Sequence, residues 1–178
     1  MKLTVSGPPG SGKTTVSILL AQKLSYSYVS GGEAFRKLAE EKNMSIEEFS
    51  RYSENNHEVD KKIDEQLKLK LQTVDNIIVE SRLAGWIAYL NNIKAIKIFI
   101  DASFDTRVKR ISEREGVSRD RISKNLEMRE LSEKYRYLLI YNINYEDLKI
   151  YDLIIDNNNK DPETVSKIIM EYVKKHGC

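Results

Sequence analysis

The sequence predicts an α/β protein in which a parallel five-stranded sheet is covered by helices on both faces, giving three layers. Short β-type runs alternate with helical patterns along the whole chain, and this alternation is typical of parallel sheets. The runs at 76–80 and 95–101 are almost continuously apolar, as expected of strands that are buried on both faces. The first run leads directly into a glycine-rich turn and then into a helix.

The predicted elements follow one another in a regular order. Each β-type run is short and rich in β-branched or aromatic residues, which favours strands. The strands are assigned to residues 2–6, 26–30, 76–80, 95–101 and 152–156. The helices are assigned to residues 13–24, a segment from about 34, the charged stretch 45–72, and the stretches 104–115, 120–141 and 162–174.

Local signals mark the ends of several helices. Ser45 and Glu48 have the spacing of a capping box, which predicts the start of the charged helix. Gly116 breaks the helix before it, and Asp161 followed by Pro162 predicts an N-cap with proline at the first helical position. In the helix 120–141, the core contact is predicted to be made by Met128, Leu131, Tyr135, Leu138 and Leu139.

Composition restricts the possible functions. A chain of 178 residues with 40% apolar and 31% charged residues is expected to form a single domain, residues 1–178, with a core of its own. A net charge of +2 argues neither for nucleic acid nor for an anionic membrane as partner. Cys178 is the single cysteine, so no internal disulfide forms, and a reducing cytoplasm is expected. No secretory signal pattern and no apolar run of about 18 residues is present.

The strongest motif is a phosphate loop between the first strand and the first helix. It fits the pattern G-x-x-x-x-G-K-[ST] at every fixed position. Its backbone N–H groups and the helix N-terminus form a cradle for anions. In that chemistry the lysine reaches the β- and γ-phosphates and the threonine hydroxyl binds Mg²⁺. The loop consists of Gly7, Pro8, Pro9, Gly10, Ser11, Gly12, Lys13 and Thr14.

Two further groups follow strand ends, where ligands bind in parallel sheets. Ser30, Gly31 and Arg36 follow the second strand and predict a second phosphate site, with an ordinary turn and a solvated arginine as the alternative. Glu80 and Arg82 follow the third strand. They predict a carboxylate that orients Mg²⁺ and a contact to an anionic substrate, with a strand-end salt bridge as the alternative.

Arginines are concentrated between residues 107 and 136. Arg107, Arg110 and Arg114 share one helical face, and Arg129, Glu133 and Arg136 share a face of the next helix. The latter three are predicted to point away from the core. Guanidiniums stabilise the charge that spreads over a transferred phosphoryl group, although the many interleaved acids also fit a solvated helix with salt bridges.

Gly116-Val117-Ser118 predicts the hinge of a short lid at about residues 114–122. A closing lid would exclude water, which otherwise competes for the phosphoryl group. No separate general base is found in the motifs, and none is needed if the acceptor is a phosphate, which is already a nucleophile.

With these motifs the chain resembles the nucleoside monophosphate kinases, which are phosphate-loop proteins, and most closely the short archaeal-type cytidylate kinases. The resemblance covers nearly the whole chain. Glu33 and Ser81 depart from the family pattern, where aspartate and glycine are common. The segments that carry the resemblance are 7–15, 30–36, 80–86, 110–116 and 129–136.

The resemblance implies transfer of a phosphoryl group from ATP to CMP or dCMP, with Mg²⁺. It implies that residues 7–15, including Thr15, bind ATP together with Arg114, and that residues 31–72 form a helical segment that binds the acceptor. The expected partners are the small nucleotides alone, without nucleic acid or membrane, and the expected form is a monomer. Catalytic roles fall to Lys13, Arg110, Arg129 and Arg136, substrate contacts to Ser30, Arg36, Arg82, Arg129, Glu133 and Arg136, and metal contacts to Thr14 and Glu80.

Two alternatives remain open at this stage. The same chemistry could act on another acceptor, such as AMP, UMP or shikimate, because the sequence of residues 31–72 does not reveal which base is selected. A different class of function is a nucleotide-dependent RNA-binding or regulatory module that uses the arginine-rich helices. The near-neutral charge and the interleaved acids speak against this second alternative.

Overall fold

A computed structural model describes residues 1–177 and contains one sheet in which all neighbouring strands are parallel. The spatial order is β2-β3-β1-β4-β5, so the first strand lies in the centre. The predicted fold class is confirmed, and the strands lie close to their predicted positions. The strands are β1 (Lys2–Ser6), β2 (Ser27–Ser30), β3 (Ile77–Glu80), β4 (Ile96–Asp101) and β5 (Leu153–Asp156).

Helices cover both faces of this sheet. None of the helices within residues 1–177 is long and apolar enough to cross a membrane. A short 3-10 turn at Leu148–Ile150 precedes β5. The helices are α1 (Lys13–Leu24), α2 (Gly31–Glu41), α3 (Ile46–Glu54), α4 (Glu58–Thr73), α5 (Ala84–Leu90), α6 (Phe104–Glu115), α7 (Arg119–Tyr141) and α8 (Pro162–His176).

The apolar residues form two main cores and one small one. On one face of the sheet, α1 and α8 pack through residues such as Leu20 and Ile169. On the other face, α2 to α5 pack around Phe49, Leu71 and Trp86. The small third core joins α6 to the beginning of α7 and consists of Val108, Ile111, Ile122 and Leu126, with Phe104 and Val117 packed against it.

The helical prediction for residues 45–72 needs a correction. The capping box of Ser45 and Glu48 is present, with both reciprocal hydrogen bonds, but the stretch forms two helices, α3 and α4, rather than one. α3 lies against α7, whereas α4 lies against α2 and α5, so the chain must change direction between them. α5 was not predicted, because most of its seven residues are buried and it shows no polar face.

The orientation of α7 was also predicted wrongly. Arg129, Glu133 and Arg136 were expected to face away from the core, yet Glu133 and Arg136 are only 3% and 1% exposed. The apolar residues expected to form the core contact are exposed instead, Leu131 by 71%. Burial of the charged face is possible because partners on other elements compensate each charge: Arg82 for Glu133, and Asp60 for Arg136.

Candidate active site

The chain turns sharply between β1 and α1, as the phosphate-loop motif predicts. Gly10 and Gly12 have φ angles of 79° and 90°, a left-handed backbone that favours glycine. A side chain at Gly7 is also excluded, because its Cβ would lie 2.1 Å from the carbonyl oxygen of Ile100. The loop therefore keeps its backbone N–H groups close to the N-terminus of α1, where anions bind.

Two arginines of α6 hold this loop from outside. Arg107 donates hydrogen bonds to the carbonyls of Ala102 and Pro9, at 3.0 and 3.3 Å. Arg110 donates to the carbonyls of Ser11 and Asn157, at 3.4 and 2.7 Å. Arg110 was predicted to be catalytic. The structure places its guanidinium against loop carbonyls, and a direct part in catalysis remains a prediction.

Lys13 and Glu80 meet at the inner side of the loop. The Lys13 Nζ lies 3.7 Å from a Glu80 carboxylate oxygen and donates to the Pro8 carbonyl at 3.3 Å. Burial lowers the pKa of Lys13 to about 8, and the nearby guanidiniums of Arg82 and Arg129 add to this, while Glu80 opposes it. A polyphosphate bound beside Lys13 would supply negative charge, and it would therefore stabilise the protonated form of this lysine.

The buried carboxylate of Glu80 gathers three hydroxyl groups. It accepts hydrogen bonds from Thr14 at 3.3 Å, Tyr28 at 3.0 Å and Ser30 at 2.8 Å. Burial and the Glu80 charge raise the pKa of Tyr28 above its usual value. The Ser30 hydroxyl also accepts from the Glu33 N–H at 3.2 Å, so Ser30 caps α2, and its substrate contact remains a prediction.

Thr14 and Glu80 provide the oxygen ligands that suit Mg²⁺. Within residues 1–177, no group of three or more His, Cys, Asp or Glu side chains is placed to hold a metal ion. Mg²⁺ in kinase sites commonly uses one or two protein oxygens and takes its other ligands from phosphates and water. The hydroxyl and the carboxylate, 3.3 Å apart, therefore fit the predicted metal contacts.

A central cavity of about 680 Å³ opens beside the loop. It is bounded by the loop, α2, α4, the end of β3, the lid region between α6 and α7, and the middle of α7. This volume is in the range of small-molecule sites. The ionisable residues that line it are Lys13, Arg36, Glu47, Asp60, Asp64, Glu80, Arg82, Arg114, Glu115, Arg129, Glu133, Arg136 and Tyr137.

Glu133 links two of the predicted arginines. Its carboxylate accepts from Arg82 Nε at 2.5 Å and from Arg129 Nε at 3.0 Å. Burial would raise the pKa of Glu133, but the surrounding guanidiniums outweigh it and hold the pKa at about 2. Arg82 also donates to the Gly7 carbonyl at 2.9 Å, while its buried Nη2 makes no hydrogen bond within residues 1–177. This nitrogen lies 3.9 Å from a Glu130 carboxylate oxygen, so an ion pair is its remaining contact to a charged group.

Two other cationic side chains that line the cavity form few or no hydrogen bonds and ion pairs within residues 1–177. Arg36 is exposed, and its guanidinium makes no hydrogen bond or ion pair with any part of residues 1–177. Arg114 is 68% exposed, and its single ion pair within residues 1–177 is with the neighbouring Glu115 at 2.7 Å. Both are free to bind an anion, as the sequence predicts for an acceptor phosphate and for ATP.

Arg136 is held by the protein itself. Its Nε donates to Asp60 at 2.7 Å, and its Nη1 donates to Ser132 at 2.6 Å and to the Ser50 carbonyl at 3.2 Å. Asp60 raises the pKa of Arg136 against the effect of burial. The guanidinium of Arg136 is therefore already occupied by protein partners, and the predicted contact to a phosphate would have to compete with them.

Two acids of this cavity, Asp60 and Asp64, were not predicted as site residues. They lie one turn apart on α4, on the same side as Ile63 and Leu67. Acids that interrupt the apolar side of a helix are costly unless they are paired or used. That signal was present in the sequence, but the stretch was interpreted only through its apolar residues.

The Asp60–Arg136 pair predicts a large stability effect. Asp60→Asn leaves the Arg136 guanidinium buried without a counter-charge, so we expect a loss of about 3 kcal/mol in the free energy of unfolding. Asp75→Asn is the control, because Asp75 is 90% exposed and lies 3.9 Å from Lys2, and should cost under ~1 kcal/mol. Urea denaturation of both variants measures the difference, and equal losses would contradict the assignment.

Comparisons with known proteins show the family of this chain. The model of the cytidylate kinase-like family matches residues 2–159. The cytidylate kinase of Thermoplasma volcanium is 43% identical over 173 residues, covering 97% of this chain and 91% of that protein. The cytidylate kinase of Archaeoglobus fulgidus is 42% identical over 174 residues, covering 98% and 95%.

Solved structures share the fold at low sequence identity. The shikimate kinase of Bacteroides thetaiotaomicron has a TM-score of 0.65 at 14% identity and covers 98% of both chains. The shikimate kinase of Aquifex aeolicus has a TM-score of 0.58 at 18% identity and covers 99% of this chain and 98% of that one. The resemblance indicated by the motifs is confirmed, and this chain belongs to the cytidylate kinase-like family.

Proposed function

We propose that this protein transfers the γ-phosphoryl group of ATP to CMP or dCMP, giving ADP and CDP or dCDP. The observation that supports this most is the central cavity, where a phosphate loop and free guanidiniums line one space. Family membership and the named cytidylate kinase relatives support cytosine as the acceptor base.

The donor side of the proposed reaction is the loop. Backbone N–H groups of the loop and the N-terminus of α1 bind the ATP phosphates, and Lys13 binds the β- and γ-phosphates. Thr14 and Glu80 would hold Mg²⁺, which neutralises and orients the phosphates when it is bound. Arg107 and Arg110 keep the loop in shape through its carbonyls.

The acceptor side of the reaction uses guanidiniums that line the cavity. Arg36 and Arg82 bind the acceptor phosphate. Arg129, whose two terminal nitrogens make no hydrogen bond or ion pair within residues 1–177, binds between the two nucleotides. Glu133 orients Arg82 and Arg129, and its direct contact to the substrate remains a prediction. Arg136 acts mainly by holding Asp60 and α7 in place.

The proposed chemistry needs little beyond this positioning. An acceptor phosphate oxygen is ionised near neutral pH and attacks without a general base. Charge then develops on the transferred phosphoryl group, where Lys13 and Arg129 stabilise it. Residues 114–122 form the proposed lid, and Gly116, with a φ of 67°, supplies its turn. Closure brings Arg114 to the phosphates and excludes water.

The proposal is tested by the acceptor panel. We expect ADP release from MgATP with CMP and dCMP, and much slower release with UMP and AMP, in a coupled assay with all four acceptors side by side. Turnover mainly with AMP or UMP would refute cytosine as the acceptor base while leaving phosphoryl transfer. No release of ADP with any of the four acceptors would refute the proposed reaction.

The lowered pKa of Lys13 predicts how ATP binding depends on pH. Free Lys13 loses its proton above about pH 8, whereas bound ATP favours the charged form, so binding takes up a proton there. We expect the Kd for MgATP to be nearly constant from pH 6.5 to 7.5 and to weaken by about tenfold per pH unit above 8. Calorimetric titration from pH 6.5 to 9.5 measures this.

The Lys13→Arg variant is the matched control for the pH dependence of binding. A guanidinium stays protonated over this whole range, so its Kd should change little between pH 7 and 9.5 even if it is weaker throughout. A wild-type Kd that does not change with pH would contradict the role of Lys13. The same tenfold weakening in the variant would assign the effect to another group.

A further inference from the structure

The central cavity contains a carboxyl group that the proposed phosphoryl transfer does not use. Asp64 lies on α4 one turn after Asp60 and lines the cavity where α4 faces α7. Its Oδ2 accepts a hydrogen bond from the Tyr141 hydroxyl at 2.6 Å. No further hydrogen bond to Asp64 is present within residues 1–177, so Oδ1 remains an unused acceptor.

Asp64 also lacks the counter-charge that its neighbour has. Asp60 is paired with Arg136 at 2.7 Å, but no cation within residues 1–177 forms an ion pair with Asp64. The lysines beside it on α4 pair elsewhere, Lys61 with Glu58 and Lys68 with Glu65. Burial, together with the charges of Asp60 and Glu65, raises the pKa of Asp64 to about 7.

Burying a carboxylate without a counter-charge is unfavourable in free energy. Such an acid in a cavity is therefore more typical of a functional group than of a stabilising one. Its free oxygen matches a ligand atom that donates a hydrogen bond. Among pyrimidines, cytosine presents an amino group at C4, whereas uracil presents a carbonyl oxygen there. A carboxylate therefore attracts the cytosine edge and repels the uracil edge, and aspartate is a known partner of the cytosine amino group.

We infer that Asp64 selects the acceptor base, accepting a hydrogen bond from the cytosine amino group and excluding uracil, with Tyr141 holding its carboxyl in position. This inference rests on the proposed function. It assigns a residue to base selection, which the motifs of the sequence left open. AMP also carries an amino group, so Asp64 is assigned only the choice between cytosine and uracil.

The test compares kcat/KM for CMP and UMP in the wild type and in Asp64→Asn. An amide can turn its NH₂ group toward the uracil carbonyl, so the variant should lose discrimination. We expect the CMP-to-UMP ratio to fall by about 10- to 100-fold, as for the loss of one base contact. Glu58→Gln is the matched control on the same helix. Glu58 is 87% exposed and pairs with Lys61, and its ratio should equal that of the wild type.

A pH profile of the wild type tests the same inference without a substitution. Below about pH 7 the neutral Asp64 carboxyl has an O–H group that can donate to uracil, so the CMP-to-UMP ratio should rise several-fold from pH 6 to pH 8. The acceptor phosphate also titrates near pH 6, but equally in both nucleotides, and this effect cancels in the ratio. The groups that face Asp64 are Asp60 and Glu65 of α4 and Arg136, Tyr137 and Tyr141 of α7.

Each outcome has a distinct meaning. A wild type that phosphorylates CMP with a pH-independent ratio, or an Asp64→Asn variant that keeps the wild-type ratio, would overturn the inference and leave the proposed function intact. A wild type that does not phosphorylate CMP would overturn the proposed function itself. If Asp64→Asn fails to fold, the wild-type pH profile alone decides.

Discussion

The ion pair between Arg82 and Glu133 is the interaction on which the site depends. Arg82 follows β3, donates to the Gly7 carbonyl of the phosphate loop and pairs with Glu133 of α7. One guanidinium therefore connects the sheet, the loop and the long helix. A buried pair of this kind adds little net stability over an apolar pair, but breaking it is costly. In this protein the pair instead fixes the positions of the hydrogen-bond donors around the cavity.

The same constraint explains the unusual orientation of α7. Three charged residues of α7 face inward because each has a partner: Glu133 has Arg82 and Arg129, and Arg136 has Asp60. The apolar residues around Leu131 and Leu138 consequently face outward. Stability comes instead from the two large apolar cores on either side of the sheet. The fold thus separates the elements that provide stability from the charged side of α7 that serves the site.

The sequence was sufficient for the strands, their parallel arrangement and the phosphate loop, because these depend on local patterns of apolar residues and glycines. It was insufficient for α7, where apolar periodicity pointed to the wrong face. Only the three-dimensional arrangement shows that Asp60 and Arg82, distant in the chain, neutralise the charges of α7. The support of the loop by Arg107 and Arg110 was missed for a related reason, since their partners are backbone carbonyls without a sequence signature.

We propose that one cavity holds donor and acceptor together, with their phosphates between Lys13 and Arg36. Calorimetric titration with an analogue that joins adenosine to cytidine through a polyphosphate bridge tests it most directly. We expect one analogue to bind per chain, at least about 100-fold more tightly than ATP or CMP alone, and to be displaced by either nucleotide. Binding no tighter than that of ATP, or failure of CMP to displace the analogue, would contradict the shared cavity.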